Sequence, residues 1–146
     1  MQERKGDIWE LARGKALCIS TNGILTQTGA LVMGKGIALE AKNRFHGIDN
    51  LAGHLVATGG NKVHYLGPYG PFDLVTFPVK THWREMAKPE LIKRSTEQLE
   101  MLTTVMKWKE VYIPHVGCAN GGLQWKDVYP ILNILLDHRF IAVEQV

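Results

Sequence analysis

The chain has 146 residues, 45% of them hydrophobic and 21% charged, and a formal net charge of +3. That length and apolar content suit one globular domain with a core of its own, and so mild a charge fits an anionic ligand without by itself arguing for nucleic acid. No apolar run is long enough to cross a membrane, MQERKGDIWE lacks a signal peptide's apolar region, and Cys18 and Cys118 form neither a disulfide framework nor a CxxC metal motif, so a cytoplasmic domain with no membrane contact is expected.

Gly6-Asp7-Ile8-Trp9 comes first. An Asp beside an apolar pair can accept a hydrogen bond from the amine of a base while its neighbours pack on the ring. It can equally cap a helix or turn. Ala16 to Ser20 is a short apolar run that reads as a buried strand, leading into Thr21, Asn22 and Gly23. Asn22 serves there as a turn residue or as a ligand contact, since its amide both donates and accepts.

From Gly36, the residues Ile37, Ala38, Ala41 and Phe45 recur at helical spacing, and Glu40 precedes Arg44 by one turn. Gly29 to Lys35 matches the GxxxxGK part of a phosphate-binding P-loop. The Ser or Thr that should follow to ligate magnesium is Gly36, which excludes a nucleotide triphosphatase of that class. Gly34-Lys35-Gly36 also lacks the third glycine of a dinucleotide fingerprint. What remains is an anion-receptive glycine loop at a helix start.

Asp49 to Ala57 reads as a short helix ending at Gly59-Gly60. Lys62 to Leu66 and Asp73 to Phe77 read as strands of a hairpin across Gly67-Pro68-Tyr69-Gly70-Pro71. Beyond it, Lys80, His82 and Arg84 alternate with Val79, Thr81 and Trp83. That interleaving suits an anionic, ring-bearing ligand, or else a solvated edge. Lys88 to Trp108 is the clearest helix, with Leu91, Ile92, Ser95, Leu99, Leu102 and Met106 on its inward face.

Val111 to Ile113 reads as another buried strand, followed by Gly117-Cys118-Ala119-Asn120-Gly121-Gly122-Leu123. Small residues leave this backbone bare, and glycines let successive N–H groups point into one concavity that receives phosphate. A helix from Lys126 to His138, with Val128, Ile131, Leu132, Leu135 and Leu136 inward, and a strand from Phe140 to Val143 close the chain. Alternating strands and helices predict a three-layer α/β/α fold. The six histidines show no metal-ligand spacing, so no metal site is expected.

With these motifs in place, the chain resembles a macrodomain over nearly its whole length. Gly6-Asp7-Ile8 is similar to the family's early GD[IL] motif, and Thr21-Asn22 to the end of its NAAN-type strand. Val32 to Ala38 is similar to the first phosphate-side loop, and Val116 to Leu123 to the second. The resemblance implies one three-layer α/β/α domain over residues 1–146 with a central mixed β-sheet. It implies ADP-ribose as ligand, with Asp7 and Ile8 at adenine and Asn22 at the distal ribose. Met33, Gly34, Lys35, Gly36 and Ile37 would line one side of the diphosphate. Gly117, Cys118, Ala119, Asn120, Gly121, Gly122 and Leu123 would line the other.

VMGKGIAL, FPVKTHWR and GCANGGLQW together resemble the DNA ADP-ribosyl glycohydrolase antitoxins of the DarG type. They are more distantly similar to the terminal ADP-ribose protein glycohydrolases. The KxHWR lysine of that subgroup falls on Lys80, which implies catalysis by Lys80 with Asn22 and a nucleic-acid rim at His82, Trp83 and Arg84. The implied substrate is ADP-ribosylated DNA or protein, handled by a monomer without cofactor. Two other readings belong to the same pocket. One is a phosphatase acting on ADP-ribose 1″-phosphate through His82 or His115; the other is a non-catalytic ADP-ribose reader. The chain departs from the pattern at Ile24–Ala30, which is extra length, at Ala119, where glycine is usual, and at Gly121, where the protein glycohydrolases carry Asp.

Overall fold

The computed structural model describes residues 1–146. Its strands are β1 (Gln2–Gly6), β2 (Ala16–Thr21), β3 (Tyr65–Tyr69), β4 (Phe72–Pro78), β5 (Val111–Pro114) and β6 (Phe140–Gln145). Its helices are α1 (Ile8–Leu11), α2 (Gly36–Arg44), α3 (Ile48–Gly59), α4 (Pro89–Met106) and α5 (Trp125–Asn133). The strands form one six-stranded sheet in the order β1-β6-β5-β2-β4-β3. All neighbours are parallel except β3, which pairs antiparallel with β4. The sheet is therefore mixed, as expected.

Side-chain alternation divides the core into two layers. Leu17 and Ile19 of β2 pack with Tyr112, Ile141 and Val143 beneath α1, α2 and α3. Ala16 and Cys18 pack with Val111, Ile113, Phe140 and Ala142 beneath α4 and α5. Strands covered on both faces must be apolar at consecutive positions, which is why β2, β5 and β6 stand out as apolar runs.

Several elements differ from expectation. β1 carries Gln2, Glu3, Arg4 and Lys5, all exposed, and pairs only with β6. A charged edge strand discourages pairing with other chains but has no apolar signature. β3 begins at Tyr65 and extends to Tyr69, because an edge strand tolerates Pro68. The turn shrinks to Gly70-Pro71, where Gly70 takes φ 56°. In α4 the inward stripe ends on Thr96, Leu99 and Thr103, while Met106 is 37% exposed. Thr96 tolerates burial because its hydroxyl donates to the Ile92 carbonyl at 2.7 Å. α5 starts at Trp125 and stops at Asn133, leaving Leu135 exposed while Leu136 still reaches the core.

The extra length at Ile24–Ala30 is a small folded loop. Leu25 bridges Leu31, and the Leu31 N–H donates to the Asp49 carbonyl at 2.9 Å. α3 lies directly against it: a Cβ at Gly53 would overlap the Gly29 carbonyl.

Candidate active site

The carboxyl ends of β2, β4, β5 and β6 open into one cavity of about 740 Å³, within the usual range for a small-molecule site. β2 contributes Ser20 to Asn22, β4 leads to Val79 and Lys80, and β6 contributes Val143 to Gln145. Two glycine loops form the remaining wall.

The first loop runs through Met33, Gly34, Lys35 and Gly36 into α2 and Ile37. Lys35 occupies the N-cap position of α2 without a side-chain cap, and Gly36 has φ 59°. The first-turn N–H groups at the cavity wall thus lack a side-chain acceptor, and the helix end favours an anion. The second loop turns at Gly117, with φ 77°, and closes when the Leu123 N–H donates to the Gly117 carbonyl at 2.9 Å. Gly117, Cys118, Ala119, Asn120 and Gly121 face the cavity. A Cβ at Gly121 would overlap the Gly117 carbonyl, so this loop cannot carry an aspartate there without changing shape. The two loops meet where Gly36 approaches the Asn120 amide.

Lys80 is 8% exposed. Its Nζ donates to the Trp83 and Asn120 carbonyls, each at 3.2 Å, leaving one of its three N–H groups for a ligand. Burial holds its pKa below the ordinary lysine value, and the Lys35 charge pushes the same way, while Glu85 opposes. The β2–β4 pairing continues past both strand ends. Val79 N–H donates to Thr21 at 3.0 Å, and Gly23 N–H donates to Thr81 at 2.9 Å. That ladder sets Lys80 beside Asn22. Asn22 is buried, donates to the Val32 carbonyl at 3.1 Å and accepts from the Ile24 N–H at 3.0 Å. It ties the extra loop to the first glycine loop and keeps one amide hydrogen unused.

No family model matches the chain. The DNA ADP-ribosyl glycohydrolase of Thermus aquaticus is 31% identical over 105 residues, which cover 66% of this chain and 29% of that relative. The macrodomain of Mycobacterium tuberculosis DarG superposes with a TM-score of 0.77 and 26% identity, over 98% of both chains. The chain is a macrodomain of the DarG type. Thermosipho africanus DarTG, solved in complex with ADP-ribose, superposes with a TM-score of 0.78 at 21% identity, over 100% of this chain and 42% of that one. The macrodomain spans only 29% of the length of the curated relatives it matches.

The other expected site residues sit around the macrodomain's cavity at different depths. Asp7 is exposed and caps α1, accepting the Trp9 N–H at 2.9 Å. Ile8 is fully buried and donates its N–H to the Gln145 side chain at 3.1 Å. Neither lines the wall, whereas Gln145, which accepts the Ile8 N–H, does. Gly122 and Leu123 lie behind the second loop; a Cβ on Gly122 would face Met86 at 3.3 Å. Trp83 is on the rim and 41% exposed, with the His82 ring stacked at 5.4 Å and the Arg84 guanidinium 4.6 Å from its ring. His82 and Arg84 themselves stand outside the wall.

His115 lines the cavity with its ring flat against Trp125, at 3.8 Å, and burial lowers its pKa. No group of three or more His, Cys, Asp or Glu side chains gathers as a metal site. The macrodomain also places Ser20, Glu40 and Val143 to Gln145 on the wall, none of which the motifs indicated. The rule that ligands bind at strand ends would have found Val143 to Gln145 had β6 been extended to its observed end.

Proposed function

We propose that this macrodomain binds ADP-ribose and hydrolyses the glycosidic bond joining it to a base in DNA. The observation that carries the reading is the buried Lys80 ammonium at a strand end, between two bare-backbone loops, with one N–H unclaimed. The names of the Thermus and mycobacterial relatives support the reaction, and the Thermosipho complex supports the ligand. The two loops would hold the diphosphate through backbone N–H groups, Asp7 would meet adenine, and Asn22 and Lys80 would meet the distal ribose. Water adds to C1″, and the base leaves with a proton.

Lys80 fits two roles. As a cation it stabilises negative charge on the departing base. As a neutral amine, favoured by its lowered pKa, it attacks C1″ of the opened ribose and forms a Schiff base as the C1″–base bond breaks and the base leaves with a proton from the amine; one water then hydrolyses the Schiff base to free ADP-ribose and the amine. Because Gly121 cannot hold a carboxylate in this loop, a Lys/Asp pair of the protein-glycohydrolase kind has no support. Modified acidic side chains are the secondary acceptor class. The phosphatase reading has little support, since the His82 Nδ1 accepts the Arg84 N–H at 3.0 Å and the His115 ring is stacked. The unpaired cysteines are compatible with a reducing cytosol. No helix is long and apolar enough to cross a membrane.

Lys80→Ala should lose turnover by on the order of 10²–10⁴-fold while keeping most ADP-ribose affinity. Single-turnover kinetics on ADP-ribosylated DNA beside calorimetry with free ADP-ribose measures both. Wild-type turnover in that variant would remove Lys80 from the chemistry, whereas no release from ADP-ribosylated DNA by the unaltered protein would put the reader and phosphatase readings ahead. Trp83→Ala tests the acceptor. Base stacking on an exposed aromatic contributes about 1–3 kcal/mol. Release from DNA should therefore slow more than free ADP-ribose binding weakens, and equal losses would count against a DNA rim.

A further inference from the structure

The Lys80 ammonium is aimed by two backbone carbonyls, and one of them, that of Trp83, sits on the exposed turn that follows Val79 and Lys80. Such a turn has no reason to hold its shape unless its N–H groups are satisfied. One side chain does that. The Glu85 Oε1 accepts the Thr81 and His82 N–H groups, each at 2.8 Å. The Glu85 N–H returns to the His82 carbonyl at 3.2 Å, and the His82 Nδ1 takes the Arg84 N–H at 3.0 Å. Lys88 closes the base, with its Nζ 3.4 Å from Glu85 Oε1 and 3.2 Å from Thr81 Oγ1. Backbone bonds anchor the far end. The Lys88 N–H donates to Val79 at 2.8 Å, and the Ala87 N–H donates to Gly121 of the second loop at 2.9 Å.

We propose that Glu85 is the acidic partner of Lys80, a positioning residue that folds the Thr81–Glu85 turn so that the Trp83 carbonyl meets the ammonium and that offsets the neighbouring Lys35 charge. This inference rests on the reading of Lys80 as the group that acts at the ribose. It answers the gap left at Gly121. The carboxylate comes from the lysine's own turn and acts through the backbone instead of touching the ligand.

The charges bearing on Lys80 are Lys35 from the first loop, which lowers its pKa, and Glu85, which raises it. The second loop brings Cys118, whose thiol burial keeps neutral. Glu85 stays ionised, because the His82 N–H first and then the Thr81 N–H and Lys88 hold its pKa below the ordinary value.

The test uses Glu85→Gln and Glu85→Ala. The glutamine carbonyl can still accept from the turn, but the charge is gone. In Glu85→Gln, ADP-ribose affinity and melting temperature should hold while the Lys80 pKa falls, read by NMR titration of the lysine side-chain signals against Lys80→Ala as assignment control. The Lys80 limb of the kcat/KM profile should move to lower pH by the same amount. Glu85→Ala loosens the turn as well. Misplacement of a catalytic group by about 1 Å can cost on the order of 10²-fold, so kcat should drop by roughly ten- to a hundred-fold with KM little changed.

An unmoved Lys80 titration in Glu85→Gln, or an unchanged kcat in Glu85→Ala, overturns the inference. Parallel losses of affinity and melting temperature in both variants overturn it too, since they assign Glu85 to stability alone. Turnover surviving in Lys80→Ala is a different result. It removes the reading of Lys80, and a positioning role for Glu85 in that chemistry falls with it, whatever the titration shows.

Discussion

At the scale of the residue, the proposed chemistry turns on the state of Lys80. An ammonium that spends two of its N–H groups on carbonyls is well hydrogen-bonded, yet burial and Lys35 still hold its pKa below the ordinary value. The direction matters because the two roles have opposite signs. If the cation acts, activity is present below the Lys80 pKa and lost as pH rises through it. If the neutral amine acts, activity appears as pH rises through the same value. Either way the limb should fall below the ordinary lysine value of 10.5. Removing the like charge with Lys35→Gln should raise the Lys80 pKa and carry the limb to higher pH. A kcat/KM profile of both proteins on one ADP-ribosylated oligonucleotide measures this. A limb that ignores Lys35→Gln would belong to another group. Arginine at position 80 adds a second check, because a guanidinium stays protonated and cannot form a Schiff base. Rescue by Lys80→Arg would therefore select the electrostatic role.

At the scale of the element, two glycines separate building the site from supporting it. Gly121 sits against the Gly117 backbone inside the second loop, whereas Gly53 sits against the Gly29 backbone beneath the extra loop. Both replacements by alanine force backbone apart. Gly121→Ala should reshape the loop and weaken ADP-ribose binding by more than about tenfold, because the N–H groups proposed to hold the diphosphate would lose their common centre. Gly53→Ala should cost about 1–3 kcal/mol of stability through overpacking and leave affinity largely intact in the folded fraction. Denaturant melts and calorimetry on both variants check the contrast, and equal affinity loss in the two would tie the extra loop to the binding site. These elements also mark what could be read in advance. β2 and β5 are apolar on both faces, so their sequences announce strands; the glycine loop after Val116 follows from its place beyond the end of β5, and the one after Val32 from its place at the start of α2. β1 was invisible because a charged edge strand looks like solvent-exposed chain. Met106 belongs to the expected inward stripe because hydrophobicity, not the hydroxyl satisfaction that lets Thr96 bury, sets that stripe. Glu85 left no signal at all, since its partners are backbone N–H groups that any sequence supplies.

At the scale of the whole molecule, the parallel strands of the mixed sheet bring four of their ends to one edge, and the cavity runs along that edge from the end of β6 to the end of β4. Gln145, which accepts the Ile8 N–H, stands at one end, and Lys80 and Asn22 at the other. A nucleoside monophosphate could engage only the first end and part of the loops. ADP-ribose could engage both, so its affinity should exceed that of AMP by well over tenfold, the second phosphate meeting the second loop and the distal ribose meeting Asn22. Stability should report the same difference, because a ligand that binds only the folded state adds RT ln(1 + [L]/Kd). At a hundredfold excess over Kd that is about 2.7 kcal/mol, or roughly 5–10 °C in melting temperature for a domain near this size. AMP at the same concentration should shift the melt by much less. Calorimetry decides the point directly. Equal affinities for AMP and ADP-ribose would mean that the end holding Lys80 contributes nothing to binding, and the proposed placement of the scissile bond would then have to be abandoned.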